Sequence, residues 1–243
     1  MADIKAKQLS LLRKAVQDYD MIQEGDRICV GVSGGKDSLT LLYLLAALRR
    51  FYPKHFDLEA VTLTLGKNDP DYTSVIELCK ELNVNHTLQE TQIAQIVFDE
   101  RKEKNPCALC ANLRRGGVNS MAKELGCNKV ALGHHMDDVL ESYLMSTLYE
   151  GRIYTFSPVT YLDRTDLYVI RPMIFIEEKD VTGFVNQFGL KPVQKTCEAD
   201  GYTNRQYMKE LLLQLQQKNR QVKSTLFGAI RRSDIPGWNS PKF

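Results

Sequence analysis

The chain lacks any long hydrophobic run. No stretch of its 243 residues is apolar for long enough to cross a bilayer, and the opening Met1-Ala2-Asp3-Ile4-Lys5 has no apolar signal region. A cytoplasmic location with no membrane partner is expected, in a reducing compartment where disulfides are rare. The six cysteines therefore need another explanation. Strong charge of one sign is also absent: 32 Lys and Arg against 30 Asp and Glu leave a net charge of +2. No global basic field draws the chain to nucleic acid, so such binding would depend on local clusters. Internal repeats and low-complexity segments are missing, which argues against a repeat array or a long disordered tail. What remains is ordinary for a globular protein, 43% hydrophobic and 26% charged, and long enough to bury a full core.

The commonest phosphate-binding signatures are missing too. A Walker loop needs a glycine five residues before its Gly-Lys pair and a Ser or Thr right after the lysine. Position 30 is Val and position 37 is Asp. The spaced glycines of a dinucleotide loop are absent as well. In their place stands Val30-Gly31-Val32-Ser33-Gly34-Gly35-Lys36-Asp37-Ser38. Residues 27–32 are apolar and β-branched, as in a buried strand, and residues 37–48 carry leucines at helical spacing. Gly34 and Gly35 allow unusual dihedrals and close approach to a ligand. Ser33 and Ser38 add hydroxyls, Lys36 adds a positive charge, and the helix aims its free N–H groups at the turn. Together they suit a phosphate group. This strand–loop–helix resembles the pyrophosphate loop of the N-type ATP pyrophosphatases, which cleave ATP to AMP and pyrophosphate.

Around this loop the sequence predicts helices at 5–22, 69–82 (capped by Asp69, with Pro70 in its first turn), 91–103 (broken by Pro106), 110–125 and 137–149. Strands are expected at 58–64, 85–88 and 129–133. Strands alternating with helices imply an α/β fold, a parallel twisted sheet with helices on both faces and ligands at the carboxyl ends of its strands. The pattern then changes. Residues 156–162 and 167–171 read as a hairpin around 163–166. A helix at 177–188 stops at Gly189, a loop runs from 191 to 203, and Asn204 caps a last long helix to about 217. The tail from Trp238 is expected to be loose.

Two further constellations carry chemistry. Asp137 and Asp138 open a helix at a strand's carboxyl end, in Gly133-His134-His135-Met136-Asp137-Asp138. They suit Mg²⁺, which takes carboxylate and water oxygens and leaves the rest to phosphates. The alternative is that Asp137 only caps the helix; beside a phosphate loop the metal or nucleotide reading is the stronger. His134 and His135 either pack beside the nucleotide or serve structure alone. The other constellation is Cys107-Ala108-Leu109-Cys110 with a distant Cys197. A CxxC is read as half a zinc site, a redox dithiol or part of an iron–sulfur site. No second CxxC completes a zinc site, and the preceding segment is not the strand a redox dithiol follows. Three thiolates from two loops suit a [4Fe–4S] cluster with one open iron. Cys29, Cys79 and Cys127 fall in core elements, where packing is the expected role.

Taken together, Ser33 to Ser38, Cys107 to Cys110 with Leu113-Arg114-Arg115-Gly116, and Leu132 to Asp138 with Glu141 resemble the tRNA 2-thiocytidine synthetase (TtcA) family, a branch of the PP-loop ATP pyrophosphatases. Val169-Ile170-Arg171-Pro172-Met173 and Cys197 with Thr203-Asn204-Arg205 fit its later part. The resemblance implies a PP-loop domain over residues 1–172 and a helical extension over 173–243 that supplies the third cluster cysteine. It implies that ATP adenylates a base carbonyl of tRNA and that sulfur then replaces the oxygen. ATP, Mg²⁺ and a [4Fe–4S] cluster are the implied cofactors. Ser33, Gly34, Gly35, Lys36, Asp37, Ser38, Thr62, Leu63, Thr64, Gly133, His134 and Asp138 would hold the nucleotide. Asp37 and Asp137 would hold Mg²⁺, Cys107, Cys110 and Cys197 the cluster, and Asp37, Arg114 and Asp137 would be catalytic. Tandem basic residues such as Arg49-Arg50, Arg114-Arg115, Arg231-Arg232 and the run 218–223 are candidate tRNA contacts or plain solvated faces. Sulfur would come from a cysteine desulfurase or free sulfide, and a homodimer is compatible with the chain. Two departures stand out. Some 2-thiocytidine synthetases carry a second CxxC where Cys197 is alone, and the terminal zinc-binding cysteines of the related 2-thiouridine enzymes are absent, which favours the cytidine branch. A lysidine-synthetase-like ligase with incidental cysteines and a regulator without turnover are the competing readings.

Overall fold

The structure, a computed structural model, describes residues 4–66, 69–101, 106–194 and 204–239. Helix α1 (Ile4–Asp18) leads into β1 (Asp26–Gly31), and helices and strands then alternate through α2 (Lys36–Arg49), β2 (Phe56–Leu63), α3 (Thr73–Glu81) and β3 (Asn85–Gln89). A π-helical stretch (Gln95–Arg101) and α4 (Pro106–Glu124) precede β4 (Lys129–Ala131) and α5 (Met136–Glu150). The hairpin β5 (Val159–Leu162) and β6 (Leu167–Ile170) is followed by α6 (Glu178–Phe188), α7 (Asn204–Lys218) and α8 (Val222–Arg231).

Among the described residues six strands form one sheet, ordered β3-β2-β1-β4-β6-β5. All neighbours pair in parallel except β5, which lies antiparallel on β6 at the edge. Side chains alternate across the strands and split between two cores. Ile28 and Val30 of β1 enter the larger core, with residues of α1, α2, α3, α5, α6 and α8, while Cys29 enters the smaller one with residues of α4 and the π-helical stretch. The expected parallel sheet covered on both faces is therefore present, with an antiparallel edge contributed by the hairpin.

The order of construction places the site. The chain builds β1, β2 and β3 outward, then returns to lay β4 on the other side of β1. The carboxyl ends of β1 and β4 flank the point where the order reverses, the position at which open α/β sheets bind ligands. Their relative height is set at the opposite edge. There Lys129 is buried and pairs with buried Asp26 at 2.7 Å, and its ammonium also donates to the Met21 carbonyl at 2.9 Å. Asn128 donates to Asp26 at 2.8 Å and accepts from the Arg27 N–H at 3.0 Å. A register slip would strand a buried charge, which costs several kcal/mol.

Several expected boundaries move, each for a local reason. The helix expected from Asp69 starts at Thr73. Asp69 instead accepts from the N–H groups of Leu65 (2.6 Å) and Gly66 (2.9 Å), closing the turn after β2. Helix α4 begins at Pro106 rather than Cys110, because proline suits a first turn, where its missing N–H costs nothing. Helix α1 ends at Asp18, and Met21 and Ile22 are buried in the connection to β1. The helix from Asn204 is not the last, since α8 follows it. The tail is not loose where it is described. Trp238 is fully buried, edge-on to Phe227 (5.6 Å) and Tyr19 (6.0 Å), and its indole N–H donates to the Phe156 carbonyl at 3.1 Å. Among the described residues no helix is long and apolar enough to cross a membrane.

Trp238→Ala empties that pocket and is expected to lower unfolding stability by about 3–5 kcal/mol, read from the urea midpoint at unchanged slope.

Candidate active site at the carboxyl edge

The loop after β1 is built on glycine. The Val32 N–H donates to the Val61 carbonyl at 2.8 Å, carrying the β1–β2 ladder one residue beyond the strand. Gly34 then turns with φ +80°, and a Cβ there would lie 2.7 Å from Cγ2 of Val193. The Val193 N–H donates to the Gly34 carbonyl at 3.0 Å, so the segment after α6 lies against the loop. Gly35 occupies the N-cap of α2 without a side-chain cap. The Ser38 hydroxyl donates to the Gly35 carbonyl at 2.9 Å and lies 3.3 Å from that of Ser33. First-turn N–H groups of α2 have no helical acceptor and face this concavity, with the positive end of the helix dipole behind them. Lys36 completes it, held by Asp37 (2.8 Å) and Glu178 (3.1 Å). Burial pulls the Lys36 ammonium pKa down, but the Asp37 and Glu178 carboxylates outweigh it and the net shift is upward. Burial pushes Glu178 up in turn, and hydrogen bonds from Lys209 and Lys36 reverse this to about 2.

The loop after β4 lies directly on α2. A Cβ on Gly133 would come within 3.0–3.2 Å of the Asp37 carbonyl carbon and oxygen and the Ser38 nitrogen, so only glycine lets the two loops touch without displacement. The next helix, α5, is capped by His135 and not by Asp137. Asp138 N–H donates to His135 Nδ1 at 3.4 Å, and His135 N–H donates to the Asp138 carboxylate at 2.9 Å, a reciprocal capping box. With Nδ1 accepting, the ring proton sits on Nε2, which lies 3.7 Å from the Asp37 carboxylate. Asp137 is buried for another purpose: it accepts from the Glu178 N–H at 2.7 Å and from Lys223 Nζ at 2.6 Å. Asp138 also pairs with Arg205 at 2.9 Å. His134 packs its ring on Phe156 at 4.9 Å, and burial together with nearby Arg171 lowers its pKa to about 4.

One turn into α5, Glu141 is buried, and among the described residues its nearest cation is Arg205, whose Nε is 4.0 Å away. Burial, then the neighbouring Asp138, pushes its carboxyl up to about 7. It lines a cavity of about 250 Å³ with Asp137, Glu178, Lys209, Leu212 and Lys223. The site role of Glu178, Lys209 and Lys223 is absent from the sequence reading. Lys223 lies 86 positions from Asp137 and Glu178 lies 41, so no local spacing announces them, and Lys223 reads there as one cation of a run that is either a tRNA contact or a solvated face.

Helix α4 carries the cysteine pair to the same edge. Its last turn leads into β4 at the amino edge, so its first turn lies at the carboxyl edge. Gly117 packs on Leu63, the last residue of β2, and Val118 lies against Gly31, the last of β1. Cys107 stands ten residues before Gly117, about 15 Å further along the helix at 1.5 Å per residue. Cys107, Cys110 and Arg114 follow i, i+3, i+7 spacing, which makes one helical stripe. Cys107 and Arg114 are exposed and Cys110 is buried. Cys197 lies outside the described residues, four positions beyond Val193. Among the described residues no three metal-ligating side chains gather. Cys29, Cys79 and Cys127 are buried, and burial raises all three thiols, Cys79 and Cys127 to about 11, as packing residues would be.

At the end of β2, Thr62 donates to the Val32 carbonyl at 2.8 Å and meets His86 Nε2 at 2.9 Å. Thr64 is tied to β3 and its loop through its N–H, donating to Gln89 at 3.0 Å, and its carbonyl, accepting from the Thr91 hydroxyl at 2.6 Å. The side chain of Thr62 and the backbone of Thr64 thus hold the edge in place.

A glycine loop over a helix N-terminus, at the reversal of a parallel sheet and against the β4 loop, is the arrangement of a PP-loop nucleotide-binding protein. The family model described as PP-loop domain matches residues 4–216. Similarity to curated proteins narrows this. The chain is 42% identical over 225 residues to the tRNA-cytidine(32) 2-sulfurtransferase of Syntrophotalea carbinolica, covering 90% of this chain and 86% of that protein. It is 40% identical over 222 residues to the protein of the same name from Pelobacter propionicus, covering 89% and 82%. The chain belongs to the tRNA-cytidine(32) 2-sulfurtransferase family of PP-loop proteins. Among solved structures, the U34-tRNA thiolase NcsA from Methanococcus maripaludis, solved with its [4Fe-4S] cluster, shares the fold at a TM-score of 0.73 and 22% identity, over 90% of this chain and 76% of that one. The NH3-dependent NAD synthetase from Campylobacter jejuni shares it at 0.52 and 15% identity, over 91% and 86%.

Two measurements follow from this site. Folding raises the Glu141 pKa, so between about pH 4.5 and 7 the folded state keeps a proton that the unfolded chain has lost, and stability falls as pH rises through that window. Glu141→Gln removes the loss, and urea unfolding is expected to find it more stable than the wild type by up to about 3 kcal/mol at pH 8, narrowing below about 1 kcal/mol at pH 5. Separately, iodoacetamide on the native protein is expected to label Cys107 and to spare Cys29, Cys79 and Cys127 until urea is added, as peptide mass spectrometry would read.

Proposed function

We propose that this protein is an ATP-dependent tRNA sulfurtransferase that replaces the C2 carbonyl oxygen of a cytidine with sulfur, at the position 32 that its relatives' names carry. The observation that carries this reading is that a phosphate-binding loop and a paired-cysteine turn rise from the same edge of one sheet. ATP enters as substrate. The N–H groups of the α2 first turn, the hydroxyls of Ser33 and Ser38 and the ammonium of Lys36 hold the pyrophosphate portion. Lys36 exchanges its Glu178 partner for phosphate oxygens, and Gly34 keeps the loop close enough for backbone contact. Gly133 and the capped N-terminus of α5, with His134 and Asp138, flank the nucleotide on the β4 side. The end of β2, at 62–64, flanks it on the other. The base carbonyl oxygen attacks the α-phosphorus, pyrophosphate leaves, and the C2 carbon becomes open to a sulfur nucleophile with AMP as leaving group.

Asp37 and Asp137 open two helices whose loops touch, and their oxygens suit Mg²⁺, which takes one or two carboxylates and completes its shell with phosphate and water. For Asp137 this means release from Lys223. Cys107 and Cys110 present soft thiolate ligands in the first turn of α4, a donor set that suits an iron–sulfur centre. With Cys197 from the 173–243 extension as third ligand, these cysteines would hold a [4Fe–4S] cluster, which would supply an open coordination site for sulfur. Arg114, on the same stripe, carries a positive charge that stabilises negative charge developing at the reacting base or phosphate. Sulfur comes from a cysteine desulfurase or free sulfide, tRNA is the partner, and the chain works in the cytoplasm.

The test is anaerobic reconstitution with iron and sulfide, followed by two assays with bulk tRNA. Wild type is expected to release pyrophosphate from ATP and to form 2-thiocytidine, detected by nucleoside mass spectrometry. Cys107→Ala, Cys110→Ala and Cys197→Ala are each expected to lose the cluster absorption and the thionucleoside while still releasing pyrophosphate. Asp37→Asn is expected to lower pyrophosphate release by about 100-fold or more. Pyrophosphate release with no thionucleoside from cluster-loaded wild type would overturn this reading in favour of a ligase with incidental cysteines, and thiolation at wild-type rate in all three cysteine variants would overturn the role given to the cysteines.

A further inference from the structure

We propose that the surface formed by His134, Tyr154, Phe156 and Arg171 receives the pyrimidine base that is to be modified. Position comes first. His134 stands between Gly133, which touches the first turn of α2, and His135, which faces Asp37. Arg171 follows β6, the strand next to β4. The two residues therefore stand at the carboxyl edge one strand (His134) and two strands (Arg171) over from the phosphate loop, on the side away from β2. A base held there has its carbonyl directed at the nucleotide across β4.

Unspent hydrogen bonds come second. His134 Nδ1 and Arg171 Nε are buried and have no hydrogen-bond partner among the described residues. A buried polar atom left unpaired costs about 1–3 kcal/mol, and native proteins hold few of them. Two on adjoining residues are hard to explain by packing alone, and a polar planar ligand that reorients both side chains would explain them. Among the described residues the Arg171 guanidinium is otherwise anchored by neutral acceptors, the Ser157 carbonyl at 2.7 Å and the Thr160 hydroxyl at 3.0 Å. Among the described residues no carboxylate neutralises it, and Arg115 on α4 adds a like charge within electrostatic reach.

The third observation is the aromatic content. The rings of His134 and Phe156 lie 4.9 Å apart, and the Arg171 guanidinium lies 5.0 Å from the Phe156 centroid. The half-exposed Tyr154 adds a further ring, with the Arg152 guanidinium 5.4 Å from its centroid and Arg171 within electrostatic reach of its hydroxyl position. Rings and guanidinium planes are the surface on which an unstacked RNA base settles. His134 stays uncharged at neutral pH, so it can both donate and accept toward a neutral pyrimidine.

This assignment deepens the proposed reading and takes the identity of the base from it. The test reads binding alone. An anticodon stem-loop RNA carrying pyrrolocytosine in place of cytidine 32 is titrated with the full-length protein, and its fluorescence is followed. Stacking is expected to quench the probe. Tyr154→Leu, Phe156→Leu and His134→Asn are expected to abolish the quench and to weaken binding about tenfold each, with thermal melting confirming that each variant is folded. Tyr161→Leu, which alters an exposed ring of the edge hairpin, keeps the quench. If wild type binds the RNA without quenching, or if all three variants quench like wild type, the base lies elsewhere and the proposal falls. A quench that persists while native tRNA is never thiolated would instead sink the proposed reaction and leave the base site standing.

Discussion

Everything at this site depends on one steric condition, the missing side chain at Gly133. The β4 loop meets the first turn of α2 at a distance where a Cβ would press within 3.0 Å of the Asp37 carbonyl carbon. Because the two loops touch, His135 faces Asp37, and α2 and α5 turn their positive N-terminal ends toward one crevice. The buried Asp26–Lys129 pair at the far edge holds β1 and β4 at the height that makes this contact possible. A sheet with the same strands and a one-residue offset would have both loops and no shared site.

The second organising feature is that the charges of the site are partnered before any ligand arrives. Lys36 rests on Asp37 and Glu178, Glu178 also takes Lys209, and Asp137 takes Lys223. The partners come from α6, α7 and α8, so the last third of the chain sets the electrostatics of a loop near its start. Unpaired, such half-buried charges would be costly. Paired, they form one connected set of contacts that ties α6, α7 and α8 to the first turns of α2 and α5. Glu141 is the exception, buried among carboxylates and far from full ionisation at neutral pH.

What could be read from the sequence was what is encoded locally. The strand, glycine turn and helix around Ser33–Ser38 were legible because each signal lies within a few residues of the next. The β5–β6 hairpin and the i, i+3 cysteine pair were legible for the same reason. Helix α8 was not, because it is short, opens on Lys223, Ser224 and Thr225, and carries Gly228 inside it. Trp238 looked like part of a free tail because its neighbours, Tyr19, Phe156 and Phe227, come from three distant segments. His135 is not a favoured capping residue, so Asp137 drew the assignment, and only the reciprocal bond from Asp138 reveals the true cap. The cysteine at 197 lies outside the described residues, and its part in the site rests on the sequence.

The contact between the segment after α1 and the segment around α8 bears on the order in which the molecule closes. Tyr19 lies against Trp238, and Asp18 pairs with Arg231 across 213 positions. Helix α1 packs on α2, the next helix in the sequence, and on α6, so part of its apolar stripe finds cover locally, and the contact with Trp238 spans more than 200 positions. Assembly of this unit thus starts on local contacts and finishes on a long-range closure, the slower kind of event.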